Sequence, residues 1–360
     1  MLNSEKPYNE LPLLPLDGDF ITKKVLQKTI EANKALAELK GIASIIPNQV
    51  IILNALTLKE AKDSSEIENI FTTQDALYKA FSTDGNAGDP STKEVLNYRE
   101  ALWQGFELIK SKKLITTKEI VKIQQILVGN GAGIRSLPGT ALKNGKTGAT
   151  IYTPPFGKDI IEAKLKNLEK FINTSDDDTD PLIKMAIIHY QFEAIHPFYD
   201  GNGRTGRILN VLYLIQNNLL DLPILYLSSF IIKNKAAYYD GLRDVRLMKA
   251  WESWIIYMLE SVEVTAKDTI KTIKAIKELL DKTIAQVKNE LPKIYSRELV
   301  ETLFHQPYIK IGHLVEQGII ARQQGSVYLQ QLENIGLLSS KKMGREIIYV
   351  NIELLKLLKE

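Results

Sequence analysis

Residues 180–218 read DPLIKMAIIHYQFEAIHPFYDGNGRTGRILNVLYLIQNN and contain two strongly apolar segments. Both segments are typical of helices buried inside a bundle, because they lack a broad polar face. Asp180 before Pro181 predicts the start of the first helix, since aspartate caps helices well and proline suits the first helical position. Pro197 has no backbone N–H and predicts the end of that helix near His196. The stretch therefore predicts a mainly α-helical fold around two buried helices.

The loop between the two helices, HPFYDGNGRTGR at residues 196–207, combines features of an anion site. It leads into a helix N-terminus, where free backbone N–H groups and the helix dipole attract negative charge. Gly201 and Gly203 let an anion approach the backbone closely. Arg204 and Arg207 are three residues apart, so they share one helix face and suit a polyphosphate.

Two further side chains of this loop complete a phosphate-transfer site. Asp200 offers the oxygen ligands that Mg²⁺ prefers, and His196 can act as a neutral base near pH 7. The combination predicts phosphate chemistry with a base, a metal and an anion-binding loop. Each residue alone could instead cap a buried helix, but that explanation is less economical for all of them within twelve residues.

A rival interpretation uses His189, Glu193 and His196, which are spaced at i, i+4 and i+7 on one helical face. That spacing could hold a transition metal inside a helical bundle. It leaves the Gly-Asn-Gly-Arg half of the loop unexplained, so structural roles for His189 and Glu193 are preferred.

The composition excludes several classes of protein. The chain has 360 residues with 44% hydrophobic residues, enough for real cores, and a net charge of +3 that does not by itself indicate nucleic acid. There is no cysteine, which excludes disulfides, thiolate zinc sites and cysteine nucleophiles. No signal-peptide pattern opens the sequence and no apolar run approaches ~18 residues. We therefore expect a cytoplasmic protein without a membrane span.

Residues 196–207 resemble the signature of the Fic family, His-Pro-Phe-x-Asp/Glu-Gly-Asn-Gly-Arg-x-x-Arg, at every fixed position. The resemblance extends over about residues 95–262 and implies a Fic-type helical bundle with a small β-hairpin flap. It also implies an enzyme that transfers AMP from ATP to a protein Tyr, Thr or Ser hydroxyl with Mg²⁺. Gly203 favours adenylyl transfer, because the phosphoryl-transferring Doc branch has lysine there.

The resemblance also implies roles for single residues. His196 would take the proton of the incoming hydroxyl, and Asp200 would hold Mg²⁺ across the α- and β-phosphates. The Asn202 side chain and nearby backbone would hold α-phosphate charge, and both arginines would bind the β- and γ-phosphates. The implied ATP-binding residues are Asp200, Gly201, Asn202, Gly203, Arg204, Thr205, Gly206, Arg207 and Tyr238, the last near the adenine. Phe198 would anchor the loop in the core.

The Gly/Pro-rich segment 131–157 predicts a turn or short hairpin, with ATIYT as its best strand. By resemblance this hairpin is the flap that pairs with the target protein. The implied target-binding residues are Ala149, Thr150, Ile151 and Tyr152.

A second motif, SSEIEN at residues 64–69, resembles the inhibitory pattern Ser/Thr-x-x-x-Glu-Gly/Asn through Ser64, Glu68 and Asn69. By this resemblance Glu68 would pair with Arg207 and occupy the place of the γ-phosphate. ATP would then bind only in an unproductive pose, so the enzyme would inhibit itself.

The sequence divides into four predicted segments. These are an N-terminal helical region with the inhibitory helix (1–94), the Fic core (95–262), a connecting helix (263–291) and a winged-helix domain (292–360), whose wing would carry Lys341, Lys342 and Arg345.

Several functions stay open at this point. The winged helix could bind DNA, with the Fic core as a nucleotide sensor, or the enzyme could remove AMP instead of adding it. The expected partner is a protein with an exposed hydroxyl residue, and self-modification and a homodimer are further options.

Overall fold

The computed structural model describes residues 3–16, 18, 20–82, 89–143, 145, 147–174, 178–343 and 346–359. Helices dominate this part of the chain, which confirms the predicted mainly α fold. The helices are α1 (Lys23–Ile42), a short 3₁₀ turn (Ala43–Ile45), α2 (Gln49–Ile67), α3 (Gln74–Ser82), α4 (Pro90–Lys112), α5 (Thr117–Val128), α6 (Lys158–Asn173), α7 (Pro181–Ile195), α8 (Asn202–Gln216), α9 (Ser228–Lys233), α10 (Lys235–Met248), α11 (Trp251–Glu290), α12 (Arg297–His305), α13 (Ile311–Glu316), α14 (Arg322–Asn334) and α15 (Ile352–Lys359). The strands are β1 (Leu142–Lys143), β2 (Thr150–Tyr152), β3 (Tyr308–Ile309), β4 (Leu338–Met343) and β5 (Glu346–Asn351).

The chain packs into two compact units that are interleaved along the sequence. The first contains residues 1–37, 63–70 and 97–266, and the second contains 38–62, 71–96 and 267–360. The four consecutive segments expected from the sequence do not coincide with these units and stay a prediction. Within the described ranges, none of the helices is long and apolar enough to cross a membrane.

The centre of the first unit is the pair α7 and α8, as the apolar segments predicted. The Asp180 carboxylate accepts a hydrogen bond from the Leu182 N–H at 2.8 Å, so the predicted N-cap is confirmed. The helix ends at Ile195, and His196 follows in a left-handed conformation. Nearly every side chain of α7 is buried, which explains why the segment has no polar stripe.

The predicted hairpin is confirmed as the antiparallel pair β1 and β2. Leu142 pairs with Tyr152 and Lys143 pairs with Thr150, so the pairing is irregular and leaves Ile151 as an extra residue of β2. Such a bulge frees the backbone groups of one residue from the strand pairing. The Ile151 carbonyl instead accepts a hydrogen bond from Arg246 of α10 at 2.9 Å.

The second unit contains α12, α13 and α14 followed by the hairpin of β4 and β5, the element order that the sequence predicted. A short strand β3 joins them in an antiparallel sheet of order β3-β5-β4. Both β3 and the terminal helix α15 were missed. The two residues of β3 carry no periodic signal. Lys341 and Lys342 are exposed on β4, whereas Arg345 lies outside the described residues. The assignment as a winged helix stays a prediction.

Candidate active site

The loop between α7 and α8 is held by a side chain of its own. The Asn202 carboxamide accepts from the Phe198 N–H and donates to the Phe198 carbonyl, both at 2.8 Å. Both polar atoms of this side chain brace the loop, and its expected role in holding phosphate charge stays a prediction. Phe198 itself is fully buried, as the expected anchor should be. Gly201 has φ 79°, a left-handed conformation that favours glycine.

His196 lies at the entrance of this loop and is half-buried. Burial lowers the pKa of His196 to about 4, and the charge of Arg135 acts in the same direction. Glu68 and the backbone carbonyl of Glu193 oppose this shift but are weaker. The imidazole is consequently neutral at pH 7 and free to accept a proton.

Asp200 is the most exposed charged group of the loop, with 68% of its side chain accessible. Its Oδ1 accepts from the Gly201 N–H at 2.6 Å and from Arg204 Nη2 at 3.3 Å. A carboxylate that faces solvent beside a helix N-terminus fits a Mg²⁺ ion, which keeps several water ligands.

Arg207 points away from solvent and donates three hydrogen bonds to one short segment. Its Nε donates to the Ser64 hydroxyl at 2.8 Å, and its Nη2 donates to the Ser64 carbonyl at 2.8 Å and to Glu68 Oε1 at 2.9 Å. Burial alone would lower the pKa of Arg207, but the charge of Glu68 raises it above the ordinary value. The structure thus joins two motifs that are far apart in the sequence.

The Glu68 carboxylate is charged in this position. Burial alone would raise the pKa of Glu68, but the charge and hydrogen bond of Arg207 lower it below the usual range. A Cβ atom at Gly203 would collide with Glu68 Oε1, so the missing side chain makes room for this carboxylate. Asn69 follows in a left-handed conformation, with φ 63°, after α2 has ended. Of the expected trio, Ser64 and Glu68 therefore contact Arg207, and Asn69 follows directly after them.

Thr205 and Gly206 do not line an open site. Thr205 is 1% exposed, and a Cβ at Gly206 would collide with Glu193 Oε1 and lie 3.1 Å from Phe192. Gly206 therefore permits close packing of α8 on α7. The expected contact of these two residues with ATP stays a prediction.

The Tyr238 ring is 2% exposed, and the expected adenine contact there stays a prediction. Its hydroxyl lies 2.8 Å from His189 Nε2, while Asn210 Nδ2 lies 3.1 Å from His189 Nδ1. The neighbouring Tyr239 is 47% exposed instead. Sequence spacing could not separate these adjacent tyrosines at the start of α10.

The rival metal site is not formed. Among the described residues, no group of three or more His, Asp or Glu side chains is arranged to hold a metal ion. Both ring nitrogens of His189 face other side chains, and burial lowers the pKa of His189 to about 3. Burial also raises the pKa of Glu193 to about 8, so this carboxyl is neutral at pH 7 and a poor metal ligand.

The flap residues are divided between two roles. Ala149 and Ile151 are exposed and Thr150 is half-buried, so these three can face a partner. Tyr152 is buried, and its hydroxyl donates to the Ala194 carbonyl of α7 at 2.6 Å. Tyr152 therefore anchors the flap instead of meeting a target with its side chain.

Arg135 was missed in the sequence, because a single arginine among glycines and prolines gives no periodic signal. It is 1% exposed, and its Nε donates to the His196 carbonyl at 2.7 Å. Its Nη2 donates to the carbonyls of Ile195 at 3.3 Å and of Pro155. A buried charge satisfied by three carbonyls is a structural link between the flap and the helix end.

Family models match three parts of the chain. The model described as Fic/DOC family N-terminal matches residues 26–107, and the model described as Fic/DOC family matches residues 114–214. The model described as protein adenylyltransferase SoFic-like, C-terminal domain, matches residues 279–354.

Individual proteins give the same result. A probable protein adenylyltransferase of Aquifex aeolicus is 28% identical over 197 residues, which cover 53% of this chain and 56% of that protein. The protein adenylyltransferase fic-1 of Caenorhabditis briggsae is 28% identical over 145 residues, 39% of this chain and 26% of that protein. The crystal structure of a Fic family protein from Desulfovibrio desulfuricans shares the fold, with a TM-score of 0.57, 18% identity and coverage of 92% of this chain and 96% of that one.

The chain therefore belongs to the Fic/DOC family. It spans about half of the Aquifex relative and about a quarter of the Caenorhabditis relative.

Proposed function

We propose that this chain is a self-inhibited protein adenylyltransferase, which transfers AMP from ATP to a Tyr, Thr or Ser hydroxyl of a protein. The names of the matched relatives support the activity, since they are protein adenylyltransferases. The observation that carries the self-inhibition is the ion pair between Arg207 and Glu68. It engages one of the two guanidinium groups that the motif supplies for phosphates.

In the proposed reaction His196 removes the proton of the acceptor hydroxyl. The hydroxyl oxygen forms a bond to the α-phosphorus, the bond to the β-phosphate oxygen breaks, and pyrophosphate leaves. Backbone N–H groups at the start of α8, which have no acceptor within the helix, would stabilise the charge that develops on the α-phosphate. Because the pKa of His196 is about 4, its imidazole is unprotonated at neutral pH.

Asp200 is the residue that would hold Mg²⁺. When bound, the ion neutralises phosphate charge and orients the phosphates. Arg204 is buried beside Asp200, so it presents its charge to the same place.

Glu68 blocks the productive position of ATP by occupying Arg207. A γ-phosphate would need the same guanidinium, and there it would be repelled by the negative charge of Glu68. Gly203 leaves the space that Glu68 fills, so the inhibitory carboxylate and the nucleotide compete for one volume.

The test is mass spectrometry of the Glu68→Gly protein after incubation with ATP and Mg²⁺. We expect an AMP adduct on a Tyr, Thr or Ser of the protein itself or of an added cell extract. The adduct should be much weaker in the unchanged protein and absent in Glu68→Gly with His196→Ala. Glu66→Ala removes a carboxylate two residues earlier without placing a glycine inside α2, and it should not activate. Absence of any adduct with Glu68→Gly would contradict the proposed activity.

A second proposal concerns DNA. The order of elements from α12 to β5 and the exposed Lys341 and Lys342 suit contact with DNA phosphates. A gel shift of genomic fragments at two salt concentrations, with and without Lys341→Ala and Lys342→Ala, tests it. Removal of AMP, a homodimer and the cytoplasmic location stay predictions.

A further inference from the structure

The last turn of α7 is completed by side chains from the flap segment, defined here as residues 131–157. The final carbonyls of a helix have no partner within the helix. In α7 the Ala194 carbonyl accepts from the Tyr152 hydroxyl at 2.6 Å, and the Ile195 carbonyl accepts from Arg135 at 3.3 Å. The His196 carbonyl accepts from Arg135 at 2.7 Å. All three donors come from residues on either side of the flap tip.

Arg135 joins both ends of the flap segment to the same loop. Its guanidinium also donates to the Pro155 carbonyl, which follows β2, and its own backbone N–H donates to the Pro197 carbonyl at 2.9 Å. Next to it, Ile134 forms an isolated antiparallel bridge with Phe198. The planar guanidinium holds its donors in a fixed geometry, which lysine cannot reproduce.

From these contacts we propose that Arg135 is a positioning residue, which keeps the flap and His196 in one fixed register. This inference rests on the proposed function: the flap would present the acceptor hydroxyl, and His196 would receive its proton. A shift of about 1 Å between the two would cost on the order of a hundredfold in rate. Arg135 touches neither ATP nor the acceptor in this role, because it acts through the backbone of His196 and Pro155.

A purely structural role would predict something else. If Arg135 only capped α7, its replacement would lower the stability of the fold and affect ATP binding and AMP transfer together. A positioning role predicts that AMP transfer falls while ATP binding is retained. The charge of Arg135 also faces His196 together with that of Glu68, so the neutral Arg135→Gln should raise the pKa of His196 relative to the charged Arg135→Lys.

The experiment uses the full chain with Glu68→Gly, alone and combined with Arg135→Lys, Arg135→Gln or Tyr152→Phe. The probe is ATP with Mg²⁺, and the readouts are the initial rate of AMP incorporation and the Kd of ATP by calorimetry. We expect Arg135→Lys to lower incorporation at least about tenfold with a change in Kd below about threefold. The pH midpoint of the rate should be higher for Arg135→Gln than for Arg135→Lys.

A matched control is Arg246→Gln, which removes a hydrogen bond to the Ile151 carbonyl and a contact with the Tyr152 ring but no hydrogen bond to the carbonyls of α7. It should leave the pH midpoint unchanged. Tyr152→Phe removes only the link to Ala194 and should lower incorporation by a smaller factor. If Arg135→Lys does not fold, Tyr152→Phe carries the test, and unchanged incorporation would overturn the proposal.

Different results would contradict the proposed adenylyltransferase activity and the positioning role of Arg135. No incorporation by the Glu68→Gly protein itself contradicts the proposed function. In that case tryptic cleavage after Lys143 of β1 still tests whether Arg135 holds the flap segment to the end of α7. Arg135→Lys should accelerate this cleavage. Full incorporation by Arg135→Lys, or a parallel loss of ATP binding, overturns the positioning role.

Discussion

Arg207 and Glu68 are joined by a 2.9 Å ion pair, and the same guanidinium donates twice more to Ser64, one helical turn before the glutamate. All three hydrogen bonds therefore end on a single short segment at the end of α2. Any movement of that segment would break them together, so release of Arg207 should be cooperative.

Glu68→Gln should activate the enzyme less than Glu68→Gly. The neutral amide keeps the size of the side chain and can still accept from Arg207, but it loses the charge that strengthens this hydrogen bond. We expect a rate of AMP incorporation between those of the unchanged protein and Glu68→Gly. Glu66→Gln is the matched control and should behave as the unchanged protein. Equal rates for Glu68→Gln and Glu68→Gly would indicate that charge alone controls the block.

Ser64→Ala should weaken the block without removing Glu68. The substitution leaves Arg207 Nε without its hydroxyl acceptor in a buried place, which costs about 1–3 kcal/mol. Partial activation and a lower melting temperature are therefore expected, measured by AMP incorporation and by thermal unfolding. Ser65→Ala is a close control, since Ser65 is also buried and its hydroxyl has no hydrogen-bond partner among the described residues. A similar effect of both alanines would argue against a specific role of Ser64.

The pH dependence of AMP transfer should reflect a base that is already neutral. Protonation of His196 removes its ability to accept a proton, and this happens only as the pH falls through about 4. The rate of the Glu68→Gly protein should thus be level from about pH 6 to about pH 8 and decline below that range. The measurement is the rate of AMP incorporation as a function of pH in buffers of constant ionic strength. A midpoint near the ordinary histidine pKa of about 6.5 would show that burial does not control this group.

Glu193→Gln should stabilise the fold at neutral and alkaline pH. Burial raises the pKa of Glu193 to about 8, so between its unfolded pKa and about pH 8 the folded protein binds more protons than the unfolded chain. Its contribution to stability is complete below the unfolded pKa and is lost as the pH rises to about 8. The uncharged glutamine removes this loss. The free energy of unfolding of the unchanged protein falls by at most about 1.4 kcal/mol per pH unit from this group.

Chemical denaturation at about pH 5 and about pH 8 measures this difference. The variant and the unchanged protein should differ more at the higher pH. A larger gain at the lower pH would contradict a protonated Glu193. His189, whose pKa is lowered by burial, would give the opposite trend and serves to check the sign.

The sequence predicted α7 and its ends because Asp180 and Pro197 act locally, through one N-cap bond and one missing donor. The pairing of Glu68 with Arg207 was reached through a resemblance between motifs. The role of Arg135 was not predicted because its three acceptors are backbone carbonyls, which every residue has.

Two further positions show what a sequence pattern leaves open. Asn202 was expected to face phosphate, but its side chain forms two hydrogen bonds with the backbone of Phe198. The sequence does not show which of these partners the side chain takes. Tyr238 and Tyr239 differ by 100° around a helix, so an error of one position exchanges a buried ring for an exposed one.

The missing side chain at Gly203 has a consequence for genetics. A residue with a Cβ at this position would expel Glu68 and at the same time narrow the space for the nucleotide. Substitutions at Gly203 should therefore inactivate the enzyme and not activate it. A selection for gain of function should recover changes at residues 64–68, so that the hyperactive alleles of this gene map outside its most recognisable sequence.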